Sequence, residues 1–199
     1  MSKKAHDFLM TKSKEENEDL HTIISLNGQV DIAKGGIDNA FEFLFQTCVG
    51  QQLSSKASES IWGRVVGLCQ NLDLTLLELA DQKYCTDLRS CGISNNKLKA
   101  AFKLRDRFID QPSLSAQIFG ASYENITDLV TSNWGFGAWS ADMCAIFFCG
   151  QKDVMPTSDV AINNSLLKLH VDTKEIYLYA PYRSYLCLHL WKATDERRL

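Results

Sequence analysis

Apolar side chains recur at helical spacing through almost the whole chain, and no sustained alternating run predicts a strand. Residues 15–26 put Leu20, Ile23 and Ile24 on one face, with a stop at Asn27-Gly28. A Gly-rich joint, Lys34-Gly35-Gly36, precedes Asp38, the expected N-cap of a helix over 39–49. That helix carries Phe41, Leu44, Phe45 and Cys48 as a stripe. Gly50-Gln51-Gln52-Leu53 interrupts it, and Ser54 or Ser55 caps a helix reaching about Gln70. Thr75 with Glu78 spells a capping box, and Gly92 ends the helix after it. Ser94 caps a helix over 95–110 with Leu98, Ala101, Phe102, Leu104 and Phe108 inside. After Pro112-Ser113, two short helices follow. The fold class expected is all-α.

The most informative stretch runs from Leu129 to Leu166. A polar helix end enters a tight Gly135-Phe136-Gly137 hairpin, and an apolar helix follows from Ala138 to Cys149, closed by Gly150. Glycine tolerates positive φ and close backbone approach, so two of them before a helix leave amides open to a phosphate. An irregular loop with Pro156 then delivers Asp159 to the N-cap position of another helix. Helical pattern continues through Leu166-Leu167 and Ile176, and Pro181 introduces a last helix over 182–193. Taken singly, these pieces also fit a plain helix-helix turn and an ordinary capping aspartate.

Composition narrows the classes. The chain has 199 residues, 45% of them hydrophobic and 23% charged, enough for one unit with a sizeable core, in one or two lobes. No run has the length of a membrane span, and MSKKAHDFLM has no apolar signal core, so an intracellular protein is expected, without a membrane partner. Seven cysteines (48, 69, 85, 91, 144, 149 and 187) lie mostly in apolar segments and predict buried thiols rather than disulfides or a metal cluster. The net charge of −3 is unevenly spread. Residues 81–110 hold seven basic side chains (Lys83, Arg89, Lys97, Lys99, Lys103, Arg105, Arg107) against four acidic ones, a local +3. That is either a solvated helix face or a contact for nucleic acid.

In order and spacing the motifs resemble the helix-hairpin-helix DNA glycosylase superfamily, whose pattern is a GxG hairpin, a helix and an Asp some twenty residues on. Here Gly137 and Asp159 stand 22 residues apart. The likeness is greatest to the 3-methyladenine DNA glycosylase II type. Gly50-Gln51-Gln52-Leu53-Ser54, Cys91-Gly92-Ile93-Ser94 with Lys97 and Lys99, and Ala180-Pro181-Tyr182-Arg183-Ser184-Tyr185 leading to Trp191 extend it from residue 50 to 191. The resemblance implies two helical lobes with the active-site cleft between them. A middle lobe of about 41–155 would carry the hairpin 133–138, and the second would gather about 1–40 with 156–199. The resemblance implies a compact form, expected without the N-terminal β-domain of larger members.

The resemblance also implies the chemistry. Such an enzyme flips a nucleotide out of duplex DNA and stabilises charge on the sugar as the glycosidic bond breaks. Asp159 matches the catalytic carboxylate. Two residues after the second hairpin glycine, where strand-cutting members carry a Lys, stands Trp139, which implies a monofunctional hydrolase using water. An indole face attracts a cationic base such as 3-methyladenine, by about 1–2 kcal/mol when desolvated. Tyr182 matches a second pocket aromatic, and Phe45 and Met143 are further candidates to line the pocket. Gln52 or the adjacent Leu53 would be the wedge filling the gap in the duplex. Gly135, Gly137 and Ala138 would hold a phosphate through their amides, with Lys97, Lys99 and Arg183 as further DNA contacts. The carbonyls of Thr131, Asn133 and Phe136 would hold a structural monovalent cation, sodium or potassium, and no other cofactor is expected. Where the family commonly has Pro before the first hairpin glycine, this chain has Trp134. The implied partner is double-stranded DNA with alkylated bases, met by a monomer in a bacterial cytoplasm or a eukaryotic nucleus. The alternative is a non-catalytic module that binds DNA structure, which would need neither Asp159 nor Trp139.

Overall fold

The computed structural model describes residues 2–32 and 39–199. It is helical, and no strand occurs among the described residues. The helices are α1 (Ser2–Glu16), α2 (Glu18–Asn27), α3 (Ala40–Gly50), α4 (Ser55–Leu72), α5 (Leu76–Leu79), α6 (Cys85–Ser90), α7 (Asn95–Asp110), α8 (Leu114–Phe119), α9 (Tyr123–Thr131), α10 (Ala138–Met143), α11 (Val160–Lys168) and α12 (Arg183–Asp195). No helix among the described residues is long and apolar enough to cross a membrane.

The chain forms two compact units, Gly36–Cys144 and Met1–Gly35 with Ala145–Leu199. The change of unit falls at Cys144, inside a helical segment, whereas the family resemblance implies a boundary near residue 155.

In the middle unit α3 is the central element, packing on α4, α7, α8 and α10. Its stripe of Phe41, Leu44, Phe45, Cys48 and Val49 is buried. The expected joint at Lys34-Gly35-Gly36 and cap at Asp38 lie outside the described residues. The cap seen is Asn39, whose side chain accepts from Phe41 N at 2.8 Å. Ser54 and Ser94 cap α4 and α7, and Thr75 and Glu78 close the capping box of α5. Phe45 corrects an expectation. It is fully buried, set edge-on against Trp62 with ring centroids 5.5 Å apart. With no surface exposed it is a core residue, not a pocket wall.

In the other unit α12 takes the central place, against α1, α2 and α11. The core joins Leu9, Leu20, Ile24, Ile162, Leu166, Tyr185, Leu186 and Leu190. Its buried His189 bonds Asn27 through Nδ1 at 3.1 Å, and burial pushes its imidazole down to about 4, so the ring is neutral near pH 7. Helix α1 has no counterpart in the sequence pattern. All seven cysteines are free thiols, five of them buried, and burial pushes Cys48 and Cys69 up to about 11.

Candidate functional site

The hairpin lies in the middle unit between α9 and α10. Asn133 Nδ2 donates to the carbonyls of Leu129 (2.8 Å) and Val130 (2.9 Å), terminating α9. Arg107, from α7, donates to Leu129 O at 3.0 Å and Ser132 Oγ at 2.8 Å. Across the turn, Tyr123 Oη donates to the buried carboxylate of Asp142 at 2.6 Å, clamping α9 to α10. Desolvation, then this hydrogen bond, pushes the Tyr123 phenol up to about 12.

The two glycines serve different needs. Gly135 has φ 89°, and a Cβ there would meet Ala100 Cβ at 2.8 Å, so only glycine fits against α7. Gly137 has an extended φ of −113° and nothing within 4 Å of a notional Cβ. It is the N-cap of α10 and brings no side-chain cap. The amides of Gly137 and Ala138 find no acceptor among the described residues. This is an open helix start, exposed at Gly137 and Ala138. Trp139 on α10 is half-buried, and Met143 is buried.

The expected wedge lies on a tight turn. Leu53 N donates to Gly50 O at 3.1 Å, with Gln51 at φ −49° and Gln52 at φ 57°. Those angles describe a type II turn whose third position usually takes glycine. Gln52 holds that position with its side chain exposed, a strained backbone of the kind that accompanies function. Leu53 is exposed beside it. Lys97 Nζ braces this turn, donating to Val49 O at 2.7 Å and Gln51 O at 2.8 Å. Desolvation lowers its ammonium below the usual lysine range. Expected on DNA, Lys97 instead directs two of its three hydrogens to backbone carbonyls. Gln51, which the motifs gave no role, donates through Nε2 to Gly135 O at 2.9 Å and Ser140 Oγ at 3.1 Å. It ties the wedge turn to the hairpin.

Asp159 lies in the other unit, as the N-cap of α11 and only 8% exposed. Its Oδ1 accepts from Ile162 N at 2.9 Å and from Trp191 Nε1 at 3.3 Å. Trp191 packs against Phe147, centroids 5.7 Å apart. The helix amide and the indole N–H together fix the orientation of this carboxylate. Before it, the chain passes through a π segment, Cys144–Phe148, where the sequence predicted α-helix to Cys149. Such segments occur most often at functional sites. Gly150, at φ 72°, closes the segment as expected, with Gln151 N on Ala145 O at 2.9 Å.

Arg183 is also redirected. It makes a two-point ion pair with Asp153, Nε to Oδ1 at 2.7 Å and Nη2 to Oδ2 at 2.9 Å, which holds that carboxyl below its usual range. Ser184 N donates to Lys152 O and Val154 N to Ser184 Oγ, both at 2.9 Å. These bonds anchor the loop leading to Asp159 on the start of α12. The Arg183 charge is thus neutralised rather than presented to a phosphate. Tyr182 is half-buried, edge-on to Phe8 at 5.4 Å.

Comparison with known proteins follows the same lines. No family model matches the chain. The DNA-3-methyladenine glycosylase 1 of Schizosaccharomyces pombe is 29% identical over 166 residues, 77% of this chain and 72% of that protein. The DNA-3-methyladenine glycosylase of Saccharomyces cerevisiae is also 29% identical, over 147 residues, 70% of this chain but only half of the yeast protein. Among solved structures, the S. pombe enzyme in complex with abasic DNA superposes with a TM-score of 0.82 at 24% identity, covering 96% of this chain and 97% of that one.

Proposed function

We propose that this chain, similar in sequence to two yeast 3-methyladenine DNA glycosylases and in fold to one of them, is a helix-hairpin-helix DNA glycosylase, a monofunctional base-excision enzyme that removes alkylated, cationic purines such as 3-methyladenine from duplex DNA. The observation that carries the proposal is the carboxylate of Asp159, shielded from solvent and oriented by Ile162 N and Trp191 Nε1. Alkylation at a ring nitrogen makes the base a cation, which departs as a neutral leaving group and needs no general acid. Positive charge develops on the sugar, and Asp159 stabilises it and orients the water that adds at the anomeric carbon. The proton of that water leaves through the carboxylate to solvent, and the products are free base and an abasic site on an intact strand.

Trp139 and Tyr182 supply aromatic faces for the cationic base, with Met143 beside Trp139 on the same helix. Gln52, at the strained tip of its turn, takes the wedge role. The open start of α10 takes a phosphate through the amides of Gly135, Gly137 and Ala138. The carbonyls of Thr131, Asn133 and Phe136 suit a monovalent cation, because the C-terminal end of α9 concentrates carbonyl dipoles there. Asn133 O already accepts from Phe136 N at 3.1 Å and retains a second lone pair. The enzyme acts as a monomer, inside the cell and where the DNA is.

Incubation with duplexes that each carry one defined lesion, followed by alkaline cleavage, tests the proposal. Strand breaks appear only after alkali, and cationic lesions react fastest. With Lys absent from position 139, borohydride traps no covalent adduct. Nicking without alkali, or an adduct, overturns the monofunctional mechanism, and release of no lesion overturns the activity.

A further inference from the structure

The seven basic side chains between residues 81 and 110 separate into two groups. Arg105 pairs with Asp81 at 2.9 Å and Asp106 at 3.1 Å. Arg107 and Lys97 are held by backbone carbonyls, Arg89 bonds Asn95, and Lys83 lies over Tyr84 at 4.9 Å. Lys99 and Lys103 behave differently. Both are exposed, both lie over the ring of Trp134, at 4.5 and 5.8 Å from its centroid, and neither has an ion-pair partner among the described residues. Trp134 is itself 42% exposed, whereas Trp62, Trp139 and Trp191 are half-buried. It is the hairpin residue that departs from the family pattern, and no role described above uses it.

An exposed indole beneath two unneutralised ammonium groups has a physical consequence. Each lysine otherwise carries rotamer entropy, part of which is lost on contact with a partner. Resting on one ring, the two charges are already confined, and that ring belongs to Trp134, close in sequence to the open amides of Gly137 and Ala138. The surface is compact, positive and partly aromatic, which complements a line of phosphates.

We propose that Trp134, Lys99 and Lys103 form a basic ledge that takes the sugar–phosphate backbone of duplex DNA beyond the phosphate held by the hairpin amides. Trp134 is the positioning residue and the two lysines make the contacts. The inference rests on the proposed DNA glycosylase function and extends it to a contact that carries no lesion specificity.

The test is a salt titration of binding to two duplexes, one undamaged and one holding a tetrahydrofuran abasic analogue. Each phosphate contact contributes about 0.9 to the slope of log K against log salt. The double variant Lys99→Gln/Lys103→Gln lowers the slope by about 1.8 on both duplexes. Trp134→Ala keeps both charges and the slope but weakens binding roughly 3- to 10-fold, by freeing the lysines. Trp134→Phe keeps a ring beneath the ammonium groups, binds near wild type and reports that the hairpin folds. An unchanged slope in the double variant, or wild-type affinity in Trp134→Ala, overturns the ledge. Single-turnover release at saturating enzyme separates the two claims. Release intact with an unchanged slope rejects the ledge alone, and a lowered slope in a protein that releases no lesion rejects the activity and leaves the ledge standing.

Discussion

Helices α10 and α11 begin in opposite ways. The N-cap of α10 is Gly137, which has no side chain, and the amides of Gly137 and Ala138 find no acceptor among the described residues. The N-cap of α11 is Asp159, whose own carboxylate accepts from Ile162 N. Both helix starts present the positive end of a dipole. One leaves that field to an external anion, and the other uses it to hold an internal one. Where a helix start takes its negative charge from decides whether it binds a ligand or poises a catalytic group.

Four substitutions test that contrast, beginning with the largest effect. Asp159→Asn keeps a side-chain oxygen for the cap, since Asn serves as well as Asp at an N-cap. The melting temperature therefore stays near wild type, and duplex binding within a few-fold. Base release falls on the order of 10³-fold, about 4 kcal/mol of transition-state stabilisation. Near wild-type single-turnover rates would remove Asp159 from the chemistry.

The glycines come next. Gly135→Ala must adopt positive φ and displace Ala100, destabilising the fold by about 2–4 kcal/mol in a denaturant titration. Gly137→Ala meets nothing and keeps its stability, but its methyl stands where a phosphate would approach, so duplex affinity drops roughly 10-fold. If the two exchange phenotypes, the open start is not the anion site. The smallest effect is at Trp191→Phe, which deletes the indole N–H on Asp159 Oδ1. Single-turnover release slows roughly 3- to 10-fold with little change in binding, since at 3.3 Å this hydrogen bond is worth about 1 kcal/mol net. An unchanged rate would mean that the helix amide orients Asp159 unaided.

Much of this was legible in the chain. The caps at Ser54, Thr75 and Ser94, the helix over 95–110 and the placing of Asp159 all follow from local rules, because capping is decided by neighbours within three residues. Helix α1 was not legible. Its buried seam is Ala5, Leu9 and Ser13, a narrow line ending in a polar residue whose hydroxyl is satisfied by Met10 O at 3.3 Å and His21 Nδ1 at 3.2 Å. Such a seam has no periodic signal until α2 supplies the partner. The π segment was equally hidden, since Cys-Ala-Ile-Phe-Phe is apolar at either helical pitch. Motif and charge assign Lys97 and Arg183 to DNA. What redirected them were the carbonyls of Val49 and Gln51 and the carboxylate of Asp153, distant in sequence and invisible to composition. Trp191 emerged as a motif member, but its hydrogen bond to Asp159 required the folded chain.

The bond from Gln51 to Gly135 O and Ser140 Oγ has an evolutionary consequence. Positions 51 and 140 share a bond that neither can replace alone, and 135 is confined to glycine by Ala100. Among descendants of this sequence, a change at 51 is tolerated where 140 changes with it, so the two drift as a pair. Gln52, whose exposed side chain makes no such bond among the described residues, is constrained by its positive φ and not by a partner, while the turn beneath it stays fixed. On the proposed reading, lineages can thus exchange the wedge without rebuilding the hairpin.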